Sequence, residues 1–210
     1  MEGLSQDERQ SIATLYQTRL ERGDDPVATV GWGSKESQWL RFEELFRGLD
    51  PRGKRILDVG SGLGDLIYWL EERVGSNFDY LGVDITPAFV SAARERHPGT
   101  WREFRHADIL SEELHQRFDI VVMSGALNVR IDDNMSHCEA MLARMYELCD
   151  EAVSANFLST YVDYQVEKNF HYAPETLFGV AKRLSPRVCL NHDYPLYEFT
   201  LQIKRPRKAT

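Results

Sequence analysis

What this sequence lacks narrows it first. It has no apolar run near the roughly 20 residues needed to span a bilayer, and its longer apolar stretches, such as Ile120–Met123, are strand-sized. The opening residues, MEGLSQDERQ, are polar and acidic and do not have the form of a secretory signal. Cysteine is scarce: Cys138, Cys149 and Cys189 are scattered, odd in number and form no C-x-x-C pair. Such a set argues for free thiols in a reducing compartment rather than for a disulfide framework. With no cysteine pair and no H-x-x-x-H spacing, no metal site is expected. Basic residues are outnumbered, 25 Lys and Arg against 33 Asp and Glu, for a net charge of −8. A surface that follows this average repels phosphate backbones, so neither nucleic acid nor a membrane is an expected partner. The one basic run, Lys204, Arg205, Arg207 and Lys208, reads as a solvated end. Repeats and low-complexity tracts are absent as well.

What is present suits one globular domain, expected to be soluble and cytoplasmic, with enough apolar content to bury a core. Ser5 and Glu8 have capping-box spacing, and Ile12, Leu15, Tyr16 and Leu20 follow at helical intervals. Gly23-Asp-Asp-Pro26 breaks that helix, and a loop runs through Gly31-Trp-Gly33. Ser34 is placed to cap a second helix carrying Trp39, Phe42, Leu45 and Phe46 on one face. From Lys54 onward strands and helices alternate. Strands are expected at 55–59, 80–83, 101–105, 119–124, 152–157, 187–191 and around Phe199–Ile203; helices at 66–74, from Pro87, 134–148 and 174–184. The alternation implies a mostly parallel sheet covered on both faces. The last two strands are joined only by His192-Asp-Tyr-Pro195, too short for a crossover, and so must form an antiparallel hairpin. The alternating pattern of Phe199, Leu201 and Ile203 reads as a half-exposed strand.

Ile56-Leu-Asp-Val-Gly60-Ser-Gly62-Leu-Gly64 sits between a strand and a helix. Glycines there allow positive φ and close approach to a ligand, and the helix that follows offers free amides. Asp84 ends the next strand, where a carboxylate can accept from both hydroxyls of a ribose. A dinucleotide fingerprint G-x-G-x-x-G started at Gly60 would put its third glycine at position 65, which is Asp65. A carboxylate beside a pyrophosphate is costly. A ligand without phosphate and with an ammonium suits Asp58 and Asp65 better, and S-adenosylmethionine is such a ligand. Each residue also has a plain structural reading. Asp65 reads as a solvated first-turn carboxylate, Asp108 as a turn cap, Ile85 as core, and Asp58 as a tie to neighbouring loop amides.

Asp58–Gly64 resembles the first motif of class I S-adenosylmethionine-dependent methyltransferases of the small-molecule type, and Tyr80-Leu-Gly-Val-Asp84 the second. His106-Ala-Asp108-Ile-Leu resembles their acidic adenine-edge motif, and Phe118–Gly125 their fourth strand with its active-site loop. The resemblance runs in order over about residues 52–157 and continues through 204. It implies a Rossmann-like α/β fold with a mostly parallel seven-stranded sheet, a C-terminal antiparallel hairpin and helices on both faces. It implies S-adenosylmethionine as cofactor, with Asp58, Gly60, Gly62, Gly64, Asp84, Ile85, Asp108, Ile109 and Ser124 in its site. Gly60 and Gly62 would line the methionine end, Asp84 take the ribose, Ile85 pack on adenine and Asp108 accept from the adenine amine. Those motifs are nearly silent on the acceptor; the net charge of −8 and the missing nucleic-acid motifs point to a small molecule, expected to be methylated at an oxygen or nitrogen nucleophile. Asn128 is a candidate orienting group, and His171 and Tyr172, just before a helix start, are candidate catalytic residues; His137 and His192 are further candidate bases. No [DN]-P-P-[YFW] follows the fourth strand, which disfavours methylation of DNA bases.

Residues 1–50 match no motif. They are expected to form an N-terminal helical lid segment of the same domain, with residues 51–210 as the methyltransferase domain. Trp32, between glycines, is expected to bury itself if residues 22–34 close over a ligand. Two rival readings stand: a nicotinamide oxidoreductase, and a non-catalytic nucleoside-binding domain.

Overall fold

A computed structural model describes residues 4–22, 29, 33–99 and 102–206. Trp32, Trp101 and the Gly23–Pro26 breaker lie outside the described residues, and with them the expected closing loop.

Helix α1 (Gln6–Glu21) starts at Ser5, where the capping box forms in both directions with Glu8. Helix α2 (Lys35–Leu45) is capped by Ser34, whose hydroxyl accepts from the Ser37 amide. The remaining elements are β1 (Lys54–Val59), α3 (Leu66–Val74), β2 (Phe78–Asp84), α4 (Pro87–Arg96), β3 (Arg102–His106) and β4 (Phe118–Ser124). They continue as α5 (Asn134–Leu148), β5 (Cys149–Leu158), α6 (Pro174–Leu184), β6 (Arg187–Asn191) and β7 (Glu198–Lys204). Pro87 opens α4 and Pro174 opens α6, the first-turn position where a missing N–H costs nothing.

The seven strands form one sheet in the order β3-β2-β1-β4-β5-β7-β6. The first five are parallel to one another, and β7 runs antiparallel to both β5 and β6. The mostly parallel sheet read from the alternation, and the Rossmann-like class that the resemblance implies, therefore hold, terminal hairpin included.

Two apolar layers sandwich the sheet. On one face Val121, Met123, Val153 and Phe157 pack with Leu142 and Met145 of α5 and Leu177 of α6. On the other, Ile56, Ile120 and Val122 pack with Phe42 and Leu45 of α2, Ile67 and Leu70 of α3 and Val90 of α4. Helix α2 thus belongs to the core, whereas α1 has no buried residue.

One expectation is corrected. β7 is buried along nearly its whole length rather than half-exposed. It inserts between β5 and β6, and α2 covers its polar face. Arg41 makes a bidentate pair with Glu198 at 2.6–3.0 Å, and Gln202 donates to the carbonyls of Leu45 and Arg47. The polar half of the alternation faces a helix, with its groups satisfied there.

Candidate active site

The parallel strands β1 to β4 all end on one edge of the sheet, and the strand order reverses between β1 and β4. Ligands of open α/β sheets bind outside the carboxyl ends of the strands at this switch point. A cavity lies there, walled by the residues that follow each strand: Asp58 to Gly62, Asp84 to Thr86, Ala107 to Ile109 and Ser124 to Leu127. Leu4, Ile12 and Tyr16 of the α1 segment and Gln38 and Phe42 of α2 complete the wall.

The glycine loop has a physical need for its glycines. Gly60, Gly62 and Gly64 have φ of 73°, 54° and 78°, a region where a side chain is strained. A Cβ on Gly60 would also lie 2.6 Å from the Cβ of Ala126, so the loop after β1 touches the loop after β4. A Cβ on Gly64 would strike the Phe104 ring at 2.7 Å. Gly64 accordingly sits beneath the loop, and it is Gly60 and Gly62 that reach the wall of the cavity.

Asp84 is buried, and each of its carboxylate oxygens accepts one backbone amide: Gly62 N at 2.9 Å and Thr86 N at 2.8 Å. One lone pair per oxygen is left over, enough to receive two hydroxyls. Burial pushes the Asp84 acid upward in pKa, and the Thr86 and Gly62 amides oppose that shift.

Asp58 accepts the phenol of Tyr80 at 2.6 Å and lines the same cavity. It takes a side-chain partner from β2, not the loop amides that its sequence position suggested. Burial raises its pKa to about 7; the Tyr80 hydrogen bond opposes this, and the charges of Asp84 and Asp65 add to it.

Asp65 is not a solvated first-turn group. It is buried, accepting from Gln38 at 3.1 Å and pairing with Arg96 at 2.9 Å. Asp108 caps the turn through Leu110 N at 2.9 Å, and its second oxygen lies 3.2 Å from Arg9 of α1. Four carboxylates therefore wall the cavity, Asp65 and Asp108 each beside an arginine, Asp58 and Asp84 without one. That field favours a cation and opposes a pyrophosphate.

The expected cofactor residues Asp58, Gly60, Gly62, Asp84, Ile85, Asp108, Ile109 and Ser124 share this cavity. The three expected catalytic residues do not line it. The phenol of Tyr172, with 1% of its surface exposed, donates to Leu127 O at 3.0 Å within the core, and burial raises its pKa far above the phenol range. Tyr172 is thereby corrected from a candidate base to a strut under the loop after β4. His171 is half-buried and outside the cavity wall, its pKa lowered by burial and by the charge of Arg130. Asn128 lies in the loop itself between the wall residues Leu127 and Val129; its amide donates to Gly125 O, and its carbonyl accepts from Phe170 N.

Several side chains were not singled out from sequence. Asn156 stands opposite Ser124 in the β4–β5 register, and its Oδ1 accepts Gly125 N at 3.0 Å, fixing the turn after β4. Tyr80 and Gln38 hold Asp58 and Asp65. Asn156 belongs to an ordinary strand pattern, and only the pairing register reveals it.

The methyltransferase domain family matches residues 50–197. The chain belongs to that family. A Mycobacterium tuberculosis protein named as a methyltransferase is 35% identical over 158 residues, 71% of this chain and 92% of the relative. Among solved structures, DhpI in complex with S-adenosylhomocysteine superposes with a TM-score of 0.70 at 19% identity, covering 97% of this methyltransferase and 98% of DhpI. The N-methyltransferase NodS of Bradyrhizobium japonicum, also solved with S-adenosylhomocysteine, gives a TM-score of 0.66 at 15% identity over 92% of this chain and 99% of NodS. The matched span, residues 50–197, includes the residues after β1 to β4 that wall the cavity. Among the described residues, no helix is long and apolar enough to cross a membrane.

Proposed function

We propose that this methyltransferase uses S-adenosylmethionine bound in the strand-edge cavity to methylate a small molecule at an oxygen or nitrogen nucleophile. The observation that carries the reading is Asp84: a buried carboxylate tethered by one amide of the glycine loop and one at the start of α4, with a free lone pair on each oxygen. Bound there, S-adenosylmethionine supplies an electrophilic methyl group on a sulfonium sulfur.

The chain's own residues supply placement. Asp84 accepts two ribose hydroxyls without reorganising, because backbone amides already hold it. Asp58 and the cavity field balance an ammonium at the Gly60–Gly62 end. Ile85 and Ile109 provide apolar walls for a base, with Asp108 at its edge. Ser124 and Gly125, fixed by Asn156, set the floor where the acceptor approaches. Holding both reactants in one dry cleft is the main source of rate for an already activated methyl group. Within residues 1–50, the α1 segment acts as the lid of the same domain, while α2 is part of its core. Leu4, Ile12 and Tyr16 form its roof, and α1 is held down by polar contacts from Arg9 to Asp108 and Ser111 and from the Asp132 amide to Glu8. The net charge of −8 favours a small acceptor over nucleic acid.

Methyl-labelled S-adenosylmethionine, offered with small-molecule extracts and separately with bulk tRNA and DNA at physiological salt, tests the acceptor class. Label should appear in a low-mass product. Turnover on tRNA or DNA at an enzymatic rate would overturn the small-molecule reading.

A further inference from the structure

The adenine end of the cavity holds a side chain that the motifs do not account for. His137, on the first turns of α5, lines the cavity between Asn134 and Met141. Its Nδ1 is buried and has no hydrogen-bond partner. Asp108 lines the same cavity, and of the charges acting on the imidazole its charge is the strongest, ahead of Glu8 and Arg9. The Oδ2 of Asp108 also lacks a hydrogen-bond partner, the Arg9 guanidinium standing 3.2 Å away outside hydrogen-bonding geometry. Two buried polar atoms thus belong to side chains that line the same cavity, and nothing in the described chain donates to either.

Resting on the assignment of this cavity to S-adenosylmethionine, we propose that His137 is a specificity-determining residue that, with Asp108, brackets the exocyclic amine of adenine. That amine carries two N–H donors, and the wall offers two acceptors, Asp108 Oδ2 and His137 Nδ1. The pairing requires a neutral ring. Burial holds His137 below the ordinary histidine range and outweighs the upward pull of Asp108 and Glu8, while Arg9 adds to the lowering. A site built to accept from an amine rejects a base that lacks it, because its own buried acceptors are then left bare. His137 is therefore given to recognition of the cofactor and is not assigned as the base that deprotonates the acceptor.

The test is a calorimetric cycle with two ligands and three proteins. The ligands are S-adenosylhomocysteine and its deamino analogue, in which purine replaces adenine. The proteins are wild type, His137→Leu and His137→Gln. Wild type should bind S-adenosylhomocysteine well and discriminate against the analogue. His137→Leu should lose about five- to tenfold in affinity for S-adenosylhomocysteine and less than about twofold for the analogue, narrowing the discrimination. His137→Gln, which keeps an acceptor, should recover part of it. A side chain that only packs would weaken both ligands alike. Equal losses for the two ligands, or no loss at all, would overturn the proposal. Failure of wild type to bind S-adenosylhomocysteine would instead overturn the cofactor reading beneath it.

Discussion

Asp58 gives the site a pH dependence that can be worked out from the structure. Burial raises its pKa to about 7, against the pull of the Tyr80 phenol and with help from Asp84 and Asp65. The folded chain therefore binds a proton there that the unfolded chain has released above its own carboxylate pKa, 3.8. Native protons exceed unfolded ones across that window, so this group makes the ligand-free protein less stable as pH rises from about 4 to 7. Cofactor binding has the opposite slope. An ammonium at the methionine end favours the ionised carboxylate, and with an apo pKa of about 7 the ionised fraction climbs roughly tenfold between pH 6 and pH 8. Affinity for S-adenosylhomocysteine should climb by about the same factor, until the ligand's own amine begins to titrate. Asp58→Asn should flatten the profile and bind weakly throughout. The assay is calorimetry at half-unit pH steps in buffers of two ionisation enthalpies, which also counts the protons released. A flat wild-type profile, or one that survives in Asp58→Asn, would refute the role given to Asp58.

Three other substitutions separate the roles of their residues. Asp84→Ala should weaken S-adenosylhomocysteine binding by about 1.5–3 kcal/mol, from the loss of charge-assisted hydrogen bonds; unchanged affinity in calorimetry would remove Asp84 from the ribose. Gly60→Ala forces a Cβ into the positive-φ region and against Ala126. It should cost about 2–5 kcal/mol, combining left-handed strain and overpacking, and denaturant titration of the purified variant checks this. Tyr172→Phe leaves the Leu127 carbonyl bare in the core and should cost about 1–3 kcal/mol of stability. Its turnover below the melting temperature should stay within a few-fold of wild type; loss of activity in a fully folded variant would restore Tyr172 as a catalytic group.

The order of strands and helices was legible because each element carries a local signature, such as the capping box at Ser5, the prolines at positions 87 and 174, or the apolar period of α3. The glycine loop and Asp84 were legible for a related reason. A strand, a tight turn and a helix start fix their own backbone geometry within a few residues. Distant pairing was not legible. β7 alternates like a half-exposed strand, and only its insertion between β5 and β6, with Arg41 and Gln202 bridging to α2, shows that its polar face is buried. Asp65 stands at a first-turn position, yet its partners are Gln38 and Arg96, 27 and 31 residues away. The placement of the catalytic candidates was not legible for the same reason. Composition near a helix start cannot tell that the Tyr172 side chain turns into the core while His137, on α5, turns into the cavity.

The central claim is that this cavity takes S-adenosylmethionine. Parallel calorimetric titrations of the purified protein with S-adenosylhomocysteine and with NAD test it most directly. One-to-one binding of S-adenosylhomocysteine in the micromolar range, with little heat from NAD, is the expected result. Binding of NAD without S-adenosylhomocysteine would contradict it.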